Sequence, residues 1–200
     1  MHEIRYNIAH MPRASIVTIS GTPGSGKSST AKKVASALAY RHFSSGDLMR
    51  QIGQKHGLSI EETNRAAEKD PSFDEEVDET LRNMRSEERV VIDSRTAFHW
   101  IPQSFKVFLK IDPHTAALRT FAQIQTEGRL AQDAHSSEDV YQKNLSRIES
   151  ERKRYESAYN FDYLDESQYD LVIDTTRHPL DEVARSIVEK YSHWLAGGTT

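Results

Sequence analysis

The sequence predicts an α/β domain built around a parallel sheet. Two observations predict it: short apolar runs alternate with helical segments, and a glycine-rich loop separates the first run from the first helical segment. Alternation of this kind is typical of parallel strands joined by crossover helices. The predicted strands are residues 16–20, 90–93, 105–111 and 169–174, with a weaker fifth at residues 40–44.

The length of 200 residues fits a single domain. Residues 1–14 are polar and predict a loose leader or a start-site extension, residues 15–195 the domain, and residues 196–200 a flexible tail. The stretch from Ser59 to Ser86 has no strand pattern and predicts a small helical insertion on the sheet. Helix starts are predicted at Ser59, Ser72 and Ser136, because each stands shortly before an acidic residue.

Composition excludes several classes of function. The net charge of −4 gives no global reason to expect a nucleic acid or an anionic membrane as a partner, and the chain has no cysteine for a disulfide or a thiolate metal site. Apolar runs are far shorter than the ~20 residues of a membrane span, and the first residues lack the apolar core of a secretory signal. These features predict a cytoplasmic protein, and the nine scattered histidines are interpreted as structural or surface groups.

The loop from residue 21 to residue 28 has the phosphate-binding pattern of glycine, four residues, glycine, lysine and serine. A strand before it and a helix after it are the context that this motif requires. Glycines let the backbone wrap closely around an anion, and the N–H groups of the first helical turn favour negative charge. The candidate ATP-binding residues are Gly21, Thr22, Pro23, Gly24, Ser25, Gly26, Lys27, Ser28 and Ser29.

Within this loop Lys27 is expected to reach the β- and γ-phosphates, and the Ser28 hydroxyl is expected to bind Mg²⁺. A second candidate for the metal is Asp93, because it ends an apolar strand at the edge of the sheet where ligands bind. Arg95 follows two residues later and is expected to project over the same site.

Two further segments carry weaker signals. Ser45, Gly46 and Asp47 form a turn that opens a helix, and Arg50 lies one turn further, within reach of a second phosphate. Arg147 and Arg154 lie about two turns apart on one predicted helix and share a face. From spacing alone, a solvated surface helix stays the alternative for this pair.

Taken together, five segments in order resemble the nucleoside monophosphate kinases, and among these the archaeal type of cytidylate kinase. The resemblance spans roughly residues 15–189, and its most specific segment is Arg-x-x-Ser-Glu-x-x-Arg-Tyr at residues 147–155. The matching segments are residues 19–29, 44–50, 91–97, 147–155 and 169–175.

The resemblance implies a phosphate-binding-loop (P-loop) NTPase fold with a five-stranded parallel sheet, a helical monophosphate-binding region at about residues 46–88 and a lid at about residues 120–136. It implies transfer of the γ-phosphoryl group of ATP to CMP or dCMP with Mg²⁺. By matching position, Arg50 and Arg95 would grip the acceptor phosphate, and Arg147 and Arg154 would contact the phosphates around the transferred group. Asp174 and Thr175 would lie near the adenine.

The chain departs from the family in its lid, which is usually rich in arginine. Here the segment offers Arg129, with Arg119 before it. Alternatives therefore stay open: an acceptor other than CMP, such as AMP or UMP, a nucleotide-dependent switch or assembly factor, or a kinase that acts on a hydroxyl group. The expected partners are small nucleotides, and a monomer is favoured.

Overall fold

A computed structural model describes residues 13–126 and 134–198 of the chain. In this part the chain alternates between strands and helices as the sequence predicts, with the helical segment inserted after the second strand. The elements are β1 Ile16–Gly21, α1 Lys27–Leu38, β2 Arg41–Ser44, α2 Ser45–Lys55, α3 Ile60–Ala67, α4 Ser72–Asn83, β3 Val90–Asp93, α5 Ala97–Trp100, β4 Phe105–Lys110, α6 Pro113–Thr126, α7 Ser137–Tyr159, β5 Leu171–Asp174 and α8 Leu180–Leu195.

The five strands form one parallel sheet in the order β2-β3-β1-β4-β5, which confirms the predicted fold class. The weak prediction at residues 40–44 is a true strand, although Tyr40 is outside it because its N–H bonds to Ala35 O at the end of α1. The last strand begins at Leu171 instead of residue 169. The reason is a preceding 3₁₀ turn, after which the Asp170 carboxylate accepts a hydrogen bond from the Lys106 N–H at 2.7 Å.

Apolar side chains cover the sheet on both faces. On one face α1 and α8 pack against the central strands, and the buried residues include Val34, Ile187 and Trp194. On the other face the helices α2, α3 and α4 bury Ile52 and Leu81 against β3. Because β3 is covered on both faces, Val90, Val91 and Ile92 are all apolar and do not alternate with polar residues.

Two of the three helix starts that serine caps predict are present in the structure. Ser59 and Glu62 form a capping box at the start of α3, and the Ser136 hydroxyl accepts the Asp139 N–H at the start of α7. The prediction at Ser72 is off by one residue. Pro71 is the N-cap of α4 and the Asp70 carboxylate accepts the Ser72 N–H, so Ser72 is the first helical residue.

The first residues of the described chain lie against the domain. Arg13 donates a hydrogen bond to Trp194 O and stacks on the Trp194 ring, and the Ala14 N–H donates to Gln103 O at 3.1 Å. These two residues of the predicted leader are therefore part of the packed structure, and the other residues of the leader lie outside the described residues. In the described ranges, none of the helices is long and apolar enough to cross a membrane.

Candidate active site

The carboxyl ends of β1, β2 and β3 meet at one edge of the sheet. The strand register places Asp93 beside Ile19 of β1 and beside Ser44 of β2. The Ser45 hydroxyl donates a hydrogen bond of 3.3 Å to the Asp93 carbonyl, which ties the start of α2 to the end of β3. The glycine-rich loop, the Asp93 carboxylate and the segment from Ser45 to Arg50 therefore all start from this edge.

The glycine-rich loop connects β1 to the N-terminus of α1. Gly24 and Gly26 adopt left-handed backbone angles, with φ of 78° and 80°. Gly26 is the N-cap of α1 and has no side chain to act as a cap, so the N–H groups of the first helical turn are available to an anion. The Ser25 carbonyl accepts a 3.1 Å hydrogen bond from the Thr175 hydroxyl, which fastens the loop to the end of β5.

Gly24 and Gly26 differ in the space around them, and this difference gives a test of the loop. A Cβ on Gly24 would lie 2.8 Å from Ala116 Cβ and 2.9 Å from Ala116 O, whereas a Cβ on Gly26 would meet nothing within 4 Å. Both substitutions to alanine force a left-handed residue, at about 1–2 kcal/mol. We expect Gly24→Ala to lower the free energy of unfolding by about 1–3 kcal/mol more than Gly26→Ala does. Thermal unfolding of both variants measures this, and equal losses would contradict the close packing of the loop on α6.

Lys27 and Asp93 form a buried ion pair in the centre of the site. The Lys27 ammonium donates a hydrogen bond to Asp93 Oδ1, and the exposed fractions of the two side chains are 14% and 1%. Burial lowers the pKa of Lys27, although the charge of Asp93 opposes the shift. Burial also works to raise the pKa of Asp93, but the Lys27 charge together with hydrogen bonds from Lys27 and Ser28 outweighs it, and the pKa of this carboxyl lies below its usual value. Asp93 is therefore charged at neutral pH.

The residues expected to bind Mg²⁺ have a suitable donor set. Asp93 Oδ2 is buried and makes no hydrogen bond within the described residues. The Ser28 hydroxyl lies close enough to help to lower the pKa of Asp93. A free carboxylate oxygen beside a hydroxyl, next to a phosphate-binding loop, fits the oxygen ligands that Mg²⁺ prefers. Ser28 and Asp93 are thus together in space, as the sequence predicts.

Arg95 and Arg147 are held by one buried carboxylate. Glu151 is 4% exposed; its Oε2 lies 2.7 Å from Arg95 Nε, and its Oε1 accepts a hydrogen bond of 2.9 Å from Arg147 Nε. Arg95 Nε makes no hydrogen bond within the described residues, so its contact with Glu151 is an ion pair without hydrogen-bond alignment. The charges of Arg95 and Arg147 both reach Lys27, where they contribute to lowering its pKa. These two arginines therefore belong to the cluster around Lys27.

Arg154 points to a different neighbour. Its Nε lies 2.9 Å from Asp74 Oδ2 of α4, and its Nη1 donates a hydrogen bond of 3.3 Å to the Asn64 carbonyl. The side chain of Arg154 is only 11% exposed. Although Arg147 and Arg154 share the long helix α7, Arg154 is therefore turned towards the helical region between β2 and β3 and not towards the carboxylate that holds Arg95.

The segment at the start of α2 is more exposed than its expected role requires. The helix begins at Ser45, and the side chain of the preceding residue, Ser44, caps it by accepting the Asp47 N–H. Arg50 forms an ion pair with Asp47, and the side chains of both residues are 52% exposed. Gly46 lies in the first turn between them. In this conformation Arg50 is a surface group paired within its own helix, so its grip on an acceptor phosphate stays a proposal.

The loop after β5 and the helix α6 contact each other through Arg119. The Arg119 guanidinium donates hydrogen bonds of 3.0 Å and 2.9 Å to the carbonyls of Thr175 and Thr176. Asp174 is exposed and accepts the Thr176 N–H at 2.8 Å. Arg119 thus contacts the segment that is expected near the adenine. The first part of the expected lid, up to Thr126, belongs to α6. Arg129 lies outside the described residues.

The chain that carries this site is similar in sequence to known proteins. A family model described as an AAA domain matches residues 20–154. A cytidylate kinase of Methanothrix thermoacetophila is 35% identical to this chain over 162 residues, which are 81% of this chain and 89% of that enzyme. This chain belongs to the family of the archaeal cytidylate kinases. Nucleoside monophosphate kinases are phosphotransferases that bind small nucleotides and use ATP.

Two further similarities are of different kinds. An S-adenosylmethionine-dependent nucleotide dehydratase of Lacinutrix mariniflava is 34% identical over 177 residues, and the match spans 88% of this chain but only 35% of that protein. The crystal structure of a gluconokinase from Sinorhizobium meliloti has 17% sequence identity, a TM-score of 0.56 and coverage of 93% of this chain and 95% of that one. At that identity the gluconokinase shows only that the fold is shared.

The site of this kinase-family chain contains residues that the sequence reasoning did not assign. Glu151 carried a local signal, because it lies four residues after Arg147 and faces it on the same helix. Its second partner, Arg95, comes from another part of the chain and gave no such signal. The acidic composition of α4 is typical of a solvated face, but Asp74 and Asp78 are only 7% and 2% exposed. Burial raises the pKa of both carboxyls, to about 6 for Asp74.

Proposed function

We propose that this chain is an ATP-dependent cytidylate kinase that converts CMP or dCMP to the diphosphate. The observation that supports it best is the buried Glu151, which holds Arg95 and Arg147 together beside Lys27. A kinase whose two substrates both carry phosphates needs several cations at one point, because negative charge from both sides meets there. Arginine suits this position, since its planar fork stays charged and binds phosphate oxygens in pairs.

In this proposal the glycine-rich loop binds the phosphates of ATP. The Lys27 ammonium then contacts the β- and γ-phosphates in place of the Asp93 carboxylate. Arg95 and Arg147 neutralise the charge that spreads over the transferred phosphoryl group and the acceptor phosphate. Most of the rate enhancement then comes from positioning and electrostatic stabilisation. Ser28 and Asp93 would hold Mg²⁺, which supplies further charge neutralisation at the phosphates when it is bound.

A phosphate acceptor also explains why the site needs no general base. The second pKa of a phosphate monoester is about 6, so the attacking oxygen is already anionic at neutral pH. Asp47 belongs to the segment that is expected to bind the acceptor, and its carboxylate is paired with Arg50 at the surface. This arrangement favours a phosphate acceptor over a hydroxyl acceptor, whose proton a base would have to take.

The proposal is tested by measuring turnover with CMP, dCMP, UMP and AMP at equal concentration and saturating ATP. We expect the highest kcat/KM with CMP or dCMP, and formation of the corresponding diphosphate together with ADP. ATP hydrolysis without an acceptor is the control, and we expect it to be slow. Products limited to ADP and phosphate would instead indicate a switch or an assembly factor. Preference for UMP or AMP would keep the reaction and change the acceptor.

The similarity to the nucleotide dehydratase does not transfer that activity to this chain. The match covers only 35% of the dehydratase, so most of that protein lies outside it.

A further inference from the structure

A buried tyrosine contacts the carboxylate that holds the two arginines of the site. Tyr163 is 0% exposed, and its hydroxyl donates a hydrogen bond of 3.5 Å to Glu151 Oε2. The same oxygen lies 2.7 Å from Arg95 Nε, and the other oxygen of this carboxylate binds Arg147. The tyrosine hydroxyl, which the proposed phosphoryl transfer has not used, is therefore part of the network around Glu151.

The turn after α7 brings Tyr163 to this position. The helix ends at Asn160, which has a left-handed φ of 57°, and the chain then runs back along α7. Asp162 Oδ2 lies 2.7 Å from Arg152 Nη2, which fastens the returning segment to the helix. The Tyr163 carbonyl accepts a hydrogen bond of 2.7 Å from the Tyr169 hydroxyl. The backbone that carries Tyr163 is therefore fixed on both sides of this residue.

The ring and the hydroxyl of Tyr163 have different surroundings. The ring belongs to an apolar cluster, in which it meets the Tyr155 ring edge to face with centroids 5.8 Å apart. Burial and the charge of Glu151 raise the pKa of the hydroxyl, whereas Arg95 opposes the shift and lies close enough to do so partly by hydrogen bonding. The hydroxyl is therefore protonated at neutral pH. A phenylalanine ring would fill the same space and make neither polar contact.

Arg95 needs a further contact to fix its orientation. Its Nε makes no hydrogen bond within the described residues, so the ion pair with Glu151 sets the distance between the charges but not the angle of the guanidinium plane. A hydroxyl accepts one hydrogen bond while it donates another. Tyr163 is placed to accept from Arg95 and to donate to Glu151. Catalytic groups must be held within about 0.5 Å of their productive position by supporting contacts of this kind.

We propose that Tyr163 is a positioning residue for phosphoryl transfer, whose hydroxyl bridges Glu151 and Arg95 and orients the Arg95 guanidinium towards the phosphates. This inference rests on the proposed function. Because Tyr163 has no exposed surface, it acts on the reaction through Arg95 and not by contact with a nucleotide. Loss of its hydroxyl should lower the rate of phosphoryl transfer and leave the binding of ATP by the glycine-rich loop unchanged.

The test is the substitution Tyr163→Phe, which keeps the ring and removes the hydroxyl. We expect kcat with CMP to fall about tenfold and KM for ATP to stay within about twofold of the wild-type value. The matched control is Tyr191→Phe. Tyr191 is 1% exposed, and its hydroxyl lies 3.1 Å from the Tyr40 hydroxyl in the apolar cluster of α1 and α8. We expect this control to keep the wild-type kcat.

A double-mutant cycle separates positioning from a merely structural role. In Glu151→Gln the hydroxyl has no carboxylate to position, so the addition of Tyr163→Phe should lower kcat by less than about twofold. If Tyr163→Phe does not fold, Tyr169→Phe replaces it, because this change removes the hydrogen bond that holds the Tyr163 carbonyl. We expect it to lower kcat about threefold, again without a change in KM for ATP.

The outcomes distinguish this inference from the proposed function on which it rests. An unchanged kcat in the folded Tyr163→Phe variant, or in Tyr169→Phe where that variant replaces it, would overturn the role of Tyr163 while the wild type still phosphorylates CMP. A loss of equal size in the wild-type and Glu151→Gln backgrounds would also overturn it. A wild type that phosphorylates none of the monophosphates would instead overturn the proposed function.

Discussion

Replacement of Lys27 by alanine is expected to lower kcat by on the order of 10²–10³, because the variant loses the charge that faces the transferred phosphoryl group. The structure adds a second effect. Asp93 is 1% exposed and is paired with Lys27, so the variant keeps a buried carboxylate without its partner. Breaking a buried ion pair costs about 3–5 kcal/mol, and the free energy of unfolding should fall accordingly. Steady-state kinetics and denaturant unfolding measure the two effects separately.

Two further variants separate catalysis from stability. The double variant Lys27→Ala with Asp93→Asn removes the unpaired charge, so it should recover stability and stay inactive. Lys33→Ala is the matched control, because Lys33 lies on the same helix and pairs with Asp181 at the surface. We expect this control to keep its activity and to lose at most about 1 kcal/mol. Normal turnover in folded Lys27→Ala would exclude the loop lysine from the reaction.

Replacement of Glu151 by glutamine is expected to have the second largest effect. The change keeps the shape of the side chain but removes the charge that holds Arg95 and Arg147. A misplacement of about 1 Å in a catalytic group costs on the order of 100-fold in rate, and we expect kcat/KM to fall by about this factor. The free energy of unfolding should fall by about 3–5 kcal/mol, because the guanidinium group of Arg95, whose side chain is 14% exposed, loses its counter-charge.

The stability effect of this substitution depends on pH. Burial alone would raise the pKa of Glu151, but Arg95 and Arg147 hold it below its ordinary value of 4.5. A carboxyl whose pKa is lower in the folded state stabilises the fold above its unfolded pKa, and this contribution is lost as the pH falls through the folded pKa. The difference between wild type and Glu151→Gln should therefore be full above pH 4.5 and shrink in more acidic solution.

Glu149→Gln is the control for Glu151. Glu149 lies on the same helix, its side chain is 67% exposed, and it pairs with Lys153 one turn further. A surface pair of this kind contributes about 0.3–0.5 kcal/mol, so the control should be nearly as stable and as active as the wild type. Similar losses in the two variants would mean that the charge of helix α7 as a whole matters, and not the contacts of Glu151.

Local patterns were sufficient to predict the sheet and the phosphate-binding loop. Apart from β2, each strand is a short and mainly apolar run. The loop motif contains its own strand, turn and helix start within a few residues. The weak signal at residues 40–44 illustrates the limit. β2 is an edge strand whose apolar content is low, and it is fixed mainly by its ladder to β3.

The arginines were recognised from the sequence, but their partners were not. Spacing on one helix suggested a common role for Arg147 and Arg154, and the structure separates them, because Glu151 holds the first and Asp74 holds the second. The acidic stretch around Asp74 and Asp78 has the composition of a solvated face. Its two inward carboxylates are buried only because α7 and α5 cover them.

By itself the sequence determined the fold class, the loop and the presence of Lys27, Asp93 and Arg95 at one edge of the sheet. These features depend on periodicity and on motifs that are continuous in the chain. The tertiary structure alone decided which carboxylate each arginine contacts, where Arg119 points and that a cleft lies beside Trp100. The reason is physical: ion pairs and cavities form between segments far apart in the sequence, and their partners are chosen by packing and not by local propensity.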